Sequence, residues 1–126
     1  MTDAALVLIV EDNEKNMKLV RDVLQFNGFQ TLEATTAEQG LVLAAAHQPD
    51  LILMDVQLPG MDGVTALRRL RDDPSIADLK VVAVTALAMK DDSERFVGAG
   101  FDGYLSKPIS VRELPSQVRR FLGQAR

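Results

Sequence analysis

Short apolar runs alternate with longer helix-periodic segments along the whole chain. Leu6 to Val10 is a β-rich apolar run, and Glu14 to Asn27 then sets Met17, Val20 and Leu24 on one helical face before Gly28 stops it. Phe29 to Glu33 reads as a weaker strand. Thr35, with Glu38 three residues on, gives a capping-box start to a helix that presents Ala37, Leu41, Ala44 and Ala45 and is closed by Pro49. Leu51 to Met54 is a buried strand, and after the turn at Pro59 to Gly63 the residues Val64, Leu67 and Leu70 mark a third helix. Val81 to Val84 is a fourth strand, Ala88 to Ala99 a less regular fourth helix ended by Gly100, and Asp102 to Ser106 a short fifth strand. Val111, Leu114, Val118, Phe121 and Leu122 make the closing helical face, with Ser110 and Glu113 spaced as another capping box. Pro115 lies inside that helix, where it removes a backbone donor, so the spacing predicts either a later start or a distorted first turn.

Strands alternating with helices in this way predict an α/β fold, a doubly wound five-stranded parallel sheet with helices on both faces, because each right-handed crossover carries its helix over the sheet. The continuous apolar strands fit a sheet buried on both sides. No linker, low-complexity stretch or repeat interrupts the pattern, and 126 residues suit one domain over 1–126, with a core from about 5 to 123 and no output domain.

In open sheets of this kind, ligands bind beyond the carboxyl ends of the strands, where the winding reverses. Unusual residues stand there. The first strand ends in Glu11-Asp12, the third in Asp55 within LILMDVQLPG, the fourth in Thr85, and the fifth in Ser106-Lys107-Pro108. Taken singly, each has an ordinary structural explanation. Glu11 and Asp12 suit the positive end of the following helix, Asp55 suits a turn cap, Thr85 is a β-branched strand residue, and Lys107 a solvated lysine. Four strand ends converging on one rim make a different case. Three carboxylates held together repel one another unless a cation sits among them, and hard oxygen ligands that keep several waters favour Mg²⁺. With Lys107 alongside, the charge of an incoming phosphoryl group is neutralised while Asp55 attacks, and a carboxylate is a chemically competent phosphoryl acceptor.

Composition narrows the classes. Apolar residues make up 47% and charged residues 25%, the balance of a globular protein with a real core. No cysteine is present, which excludes disulfides, thiolate metal sites and thiol catalysis and makes a reducing cytoplasm the simplest setting. The first residues lack the basic start of a signal peptide, and no apolar run approaches the ~20 residues of a membrane span. A net charge of −4 argues against nucleic acid; Arg68, Arg69, Arg71, Arg119 and Arg120 cluster locally and read as solvated helix faces.

The segments VLIVEDN (Val7 to Asn13), LILMDVQLPGMDG (Leu51 to Gly63), VVAVTA (Val81 to Ala86) and YLSKPIS (Tyr104 to Ser110) closely resemble the response-regulator receiver domain of two-component signalling, and the likeness covers essentially the whole chain. EDNEKNMKLVRDVL and VTALAMKDDSERFVGAGFDGYLSKPIS look particularly like stand-alone receivers of the DivK type, and receivers fused to hybrid kinases look similar here. The resemblance implies a flavodoxin-like strand order of 2-1-3-4-5, Asp55 as phospho-acceptor, and Mg²⁺ organised by Glu11, Asp12, Asp55 and the Gln57 backbone carbonyl. It further implies Thr85 and Lys107 on the phosphoryl oxygens and a cis bond before Pro108. The implied partners are a histidine kinase or histidine phosphotransfer protein as donor, and a downstream protein. Output would run from Thr85 to Tyr104 and alter the face of the fourth helix, fifth strand and last helix, where Lys90, Asp91, Arg112 and Gln117 stand. The implied function is a cytoplasmic signalling module that assists its own phosphorylation and dephosphorylation without turning over an external substrate.

Rival functions predict other residues. A Mg²⁺-dependent aspartyl-phosphate phosphohydrolase of the haloacid-dehalogenase type carries a second aspartate two residues after the nucleophile, where this chain has Gln57. A flavin or nucleotide carrier needs a glycine- or hydroxyl-rich loop after the first strand, and the loop here is acidic. A DNA-binding regulator requires a second domain.

Overall fold

In the computed structural model, which describes residues 4–58, 60–86 and 98–124, the strands are β1 (Leu6–Val10), β2 (Gln30–Ala34), β3 (Leu51–Asp55), β4 (Val81–Thr85) and β5 (Gly103–Ser106). The helices are α1 (Glu14–Phe26), α2 (Ala37–His47), α3 (Gly63–Asp72) and α4 (Leu114–Gly123). The expected helix over Ala88 to Ala99 falls outside the described residues except for Gly98 and Ala99, and Pro59, Lys90 and Asp91 also lie outside them. All strand pairs are parallel in the order β2-β1-β3-β4-β5, as expected of a doubly wound sheet.

Alternation along each strand divides the core in two. Leu8, Val10, Ile52, Met54, Val81 and Ala83 face α2 and α3, while Val7, Ile9, Leu51, Leu53, Val82, Val84 and Leu105 face α1 and α4. Every residue of β3 and β4 is buried, so both are central strands and their carboxyl ends open directly onto one rim. Parity puts Glu11, Asp55 and Lys107 on the α1/α4 side of that rim, in step with Ile9, Leu53 and Leu105.

Local departures from the expected pattern have identifiable causes. β2 runs on to Ala34, whose carbonyl accepts from the Glu11 amide at 2.9 Å. That moves the start of α2 along by one residue: Thr36 is the cap and accepts from the Gln39 amide, while Gln39 Oε1 accepts from the Thr35 amide. The Thr35–Glu38 box therefore does not form. Ala45 is exposed, and Gly40 joins the buried face instead, since a Cβ there would lie 2.9 Å from Val10 Cγ2. At the last helix, the Ser110 hydroxyl accepts from the Glu113 amide at 3.2 Å, but residues 111–113 form a turn and α4 starts at Leu114. Pro115 thus sits in the first helical turn, where a missing N–H leaves no helical bond unmade. Val111, expected on the buried face, is exposed because it belongs to that turn.

The arginine cluster also divides. Arg68, Arg69, Arg119 and Arg120 are exposed, whereas Arg71 is half-buried and donates to three backbone carbonyls and to Asp102.

Candidate functional site

The rim at the ends of β1 and β3 is built by backbone geometry first. β1 ends at Val10 and α1 begins at Glu14, capped by Asn13, whose side chain accepts from the Asn16 amide at 3.0 Å. The two residues between strand and cap are Glu11 and Asp12, so they are held at the sheet edge by the sharpness of the turn. β3 carries its apolar run to Asp55, after which α3 starts from Asp62, whose carboxylate accepts from the Thr65 amide at 2.8 Å. Gly63 lets the helix close on the strand: a Cβ at that position would stand 2.6 Å from Val56 Cα and 3.1 Å from the Asp55 carbonyl oxygen.

Asp55 is 3% exposed and Glu11 5%, while Asp12 reaches solvent. One carboxylate oxygen from each of Glu11, Asp12 and Asp55 lies within 4.8 Å of the others. Lys107 Nζ bridges the two buried acids, at 2.8 Å from Asp55 Oδ2 and 3.1 Å from Glu11 Oε1. The remaining oxygens are partly served by the backbone: Asp55 Oδ1 accepts from the Gln57 amide at 2.9 Å, and Glu11 Oε2 from the Asn13 amide at 3.2 Å. The Gln57 side chain points to solvent. Thr85 is fully buried at the end of β4, and its carbonyl accepts from the Lys107 amide at 2.8 Å, which ties the ends of β4 and β5 together. The Lys107–Pro108 peptide is cis. Tyr104 lies on β5 opposite Ala83, 37% exposed.

Burial raises the Glu11 carboxyl pKa above its ordinary 4.5, the neighbouring Asp55 adds to the rise, and the bonds from Lys107 and the Asn13 amide only partly offset it. For Lys107, burial alone lowers the pKa, but the bonds to Asp55 and Glu11 outweigh it and the ammonium stays charged well above neutrality. One ammonium faces three carboxylates, so two formal negative charges remain at a rim that Asp12 opens to water. That donor set fits a small, hard divalent cation which retains part of its hydration.

The raised Glu11 pKa has a signed consequence. Burial makes the carboxylate form of Glu11 less favourable in the folded protein than in the unfolded chain, so ionised Glu11 opposes folding above its folded pKa, and this penalty is absent below the unfolded value of about 4.5. Without divalent metal, Glu11→Gln is expected to raise the stability at pH 7, and the gain over the wild type is expected to vanish as the pH falls through the Glu11 pKa towards 4.5. Urea denaturation of both proteins across that range measures it; a gain that grows on acidification contradicts the assignment.

The reading of Arg71 as part of a solvated helix face is wrong, since its guanidinium is half-buried and bonded. The residue is four positions after Leu67, on the same helical face as the buried leucines, and that spacing was the available signal.

A match to the response regulator receiver domain spans residues 7–119, over the same strands and rim. The chain belongs to the response regulator receiver family. It is 46% identical over 119 residues to the polar-differentiation response regulator DivK of Brucella ovis, covering 94% of this chain and 97% of that protein. Among solved structures, a putative response regulator from Chloroflexus aurantiacus is 30% identical with a TM-score of 0.89, covering 97% of this chain and 100% of the other. The receiver domain of a sensor histidine kinase from Pseudomonas aeruginosa PAO1, which has a magnesium ion coordinated in its active site cleft, is 31% identical with a TM-score of 0.87 and the same coverage. The receiver is thus DivK-like, of a signalling family in which an aspartate is phosphorylated with Mg²⁺ and receivers interact with histidine kinases and downstream targets. Among the described residues, no helix is long and apolar enough to cross a membrane.

Proposed function

We propose that Asp55 accepts a phosphoryl group from the phosphohistidine of a kinase or phosphotransfer protein, and that the receiver signals by the change in protein binding that follows. The observation that carries this reading is a buried carboxylate at a strand end with an ammonium at 2.8 Å and two further carboxylates beside it. An Asp55 oxygen forms the new P–O bond as the P–N bond to the donor imidazole breaks; the imidazole leaves with that electron pair and takes up a proton. Lys107, released from part of its pairing with Asp55, turns its charge to the phosphoryl oxygens, and the Thr85 hydroxyl donates to one of them. Glu11, Asp12, Asp55 and the Gln57 carbonyl would hold Mg²⁺, which supplies charge neutralisation at those oxygens. The chain assists its own phosphorylation and dephosphorylation and turns over no external substrate.

Incubation with acetyl phosphate and Mg²⁺ is expected to add one phosphate per chain by intact mass, with no sustained hydrolysis of an aryl phosphate. Sustained turnover would favour the phosphohydrolase reading over this one, and Gln57, where such enzymes place a second aspartate, speaks against it.

Output follows from the same rim. Phosphorylation adds negative charge and strong acceptors, Thr85 moves toward them, and Tyr104 turns inward from its exposed position, altering the β5 and α4 surface with Arg112 and Gln117 at its margin. A downstream protein reads that face. Beryllofluoride, which mimics the phosphoryl group, is expected to shift the Tyr104 resonances in wild type and to leave them nearly unmoved in Thr85→Ala. Wild-type shifts confined to the rim would exclude the mechanism.

A further inference from the structure

β5 is the shortest strand of the sheet. It has four residues, lies at the edge, and buries a single side chain, Leu105. Strand register is ordinarily set by the buried face, and a slip of one residue turns every side chain to the opposite side. One buried leucine is a thin basis for that choice, yet the position of Lys107 depends on it.

Polar contacts at the start of the strand supply what the apolar pattern lacks. Asp102 pairs with Val81, the first residue of β4, in both directions: its amide donates to the Val81 carbonyl at 2.8 Å, and its Oδ2 accepts from the Val81 amide at 2.8 Å. Arg71, in the last turn of α3, donates through Nη2 to the same Oδ2 at 3.1 Å and to the Gly100 carbonyl at 3.0 Å. Its Nη1 reaches the Ala77 and Leu79 carbonyls at 3.0 and 2.6 Å. One guanidinium therefore ties α3 to the loops preceding β4 and β5. Sterics work in the same direction. A Cβ at Gly103 would collide with the Phe121 ring at Cε1, so a slip that brings Asp102 or Tyr104 beneath that ring is opposed.

At the other end of the strand, Lys107 places its Nζ between Asp55 and Glu11. A one-residue slip would displace it by ~3.3 Å along the strand and reverse its face, out of reach of both acids. We infer that Arg71, acting through Asp102, is a register lock for β5 and thereby a positioning residue for Lys107, from the opposite end of the sheet. This rests on the proposed roles of Asp55 and Lys107 in phosphoryl acceptance.

The test compares Arg71→Met, Arg71→Lys and Asp102→Asn with wild type in the full chain, at a temperature where thermal melts show each one folded. Arg71→Met is expected to slow phosphorylation by acetyl phosphate and Mg²⁺ about tenfold, less than the ~10²-fold that a 1 Å misplacement made far from the chemistry can cost. Amide exchange should accelerate in Tyr104 to Lys107 and stay unchanged in β1 and β3. Arg71→Lys, which keeps the charge with fewer directed donors, should recover part of the rate. A lower melting temperature with a rate within twofold of wild type and undisturbed β5 exchange would show a purely structural contact and overturn the inference. If Arg71→Met fails to fold, Arg71→Lys and Asp102→Asn carry the same two readouts. Lys107→Ala in the same assay separates the two readings: a wild-type rate there removes the role of Lys107, and β5 exchange alone then decides the lock.

Discussion

Asp55→Asn is expected to take up no phosphate under conditions where the wild type gains one per chain. The substitution changes almost nothing but the chemistry. Asparagine has the same shape, and its carbonyl oxygen can still accept from the Gln57 amide, which now contacts Asp55 Oδ1 at 2.9 Å. What is lost is the anionic oxygen proposed to attack phosphorus, and no neighbour is expected to replace it. Glu11 is partly held back by burial, which favours its protonated form, and Lys107 already occupies its Oε1 side. Asp12 is exposed, so its carboxylate keeps its hydration shell. Intact mass after incubation with acetyl phosphate and Mg²⁺ reads the result, and circular dichroism shows that the fold persists. Equal labelling of wild type and Asp55→Asn would move the acceptor elsewhere on the rim.

Lys107→Ala is expected to lose both stability and rate. Removing the ammonium leaves Glu11 and Asp55 facing each other with their backbone amide contacts alone, and truncating one partner of a buried pair commonly costs about 3–5 kcal/mol. The Lys107 side chain is 19% exposed, and water admitted on that side reduces the penalty to about 2 kcal/mol. Added Mg²⁺ should recover much of this loss by neutralising the same acids, so the deficit measured by urea denaturation should shrink as the metal concentration rises. The rate has no such remedy. A cation aimed at the phosphoryl oxygens contributes on the order of 10²–10³ in rate, and Lys107→Arg should restore stability more fully than rate because its planar head group is differently shaped. A variant with wild-type stability and labelling would remove Lys107 from the site.

Much of this was legible from residue order, and the misses share a cause. Each strand was located to within about a residue because period and polarity change sharply where a strand meets its loop. Thr35 and Thr36 are chemically equivalent caps, and the choice between them depends on how far β2 extends beside β1, a matter of the Glu11 amide meeting the Ala34 carbonyl. Val111 has the spacing of a core residue but lies in a turn, because Pro115 confines the helix to residues from Leu114 onward. Arg71 has the spacing of a core residue too, and there polarity misled: its position marks a buried face, while its charge marks a surface.

The amino-acid order by itself determined the alternation of elements, the parallel sheet, and which polar residues end its strands, because these follow from local periodicity and from the chirality of crossovers. It also determined that Glu11, Asp12, Asp55, Thr85 and Lys107 share one rim. Tertiary structure alone decided that Lys107 bridges Glu11 and Asp55 rather than pointing to water, that Glu11 and Asp55 are buried while Asp12 is wet, and that Arg71 is spent on Asp102 and three carbonyls. Those outcomes depend on distances between residues far apart in the chain, and a hydrogen bond or a desolvation penalty is set by such distances, to a fraction of an ångström, which no local pattern encodes.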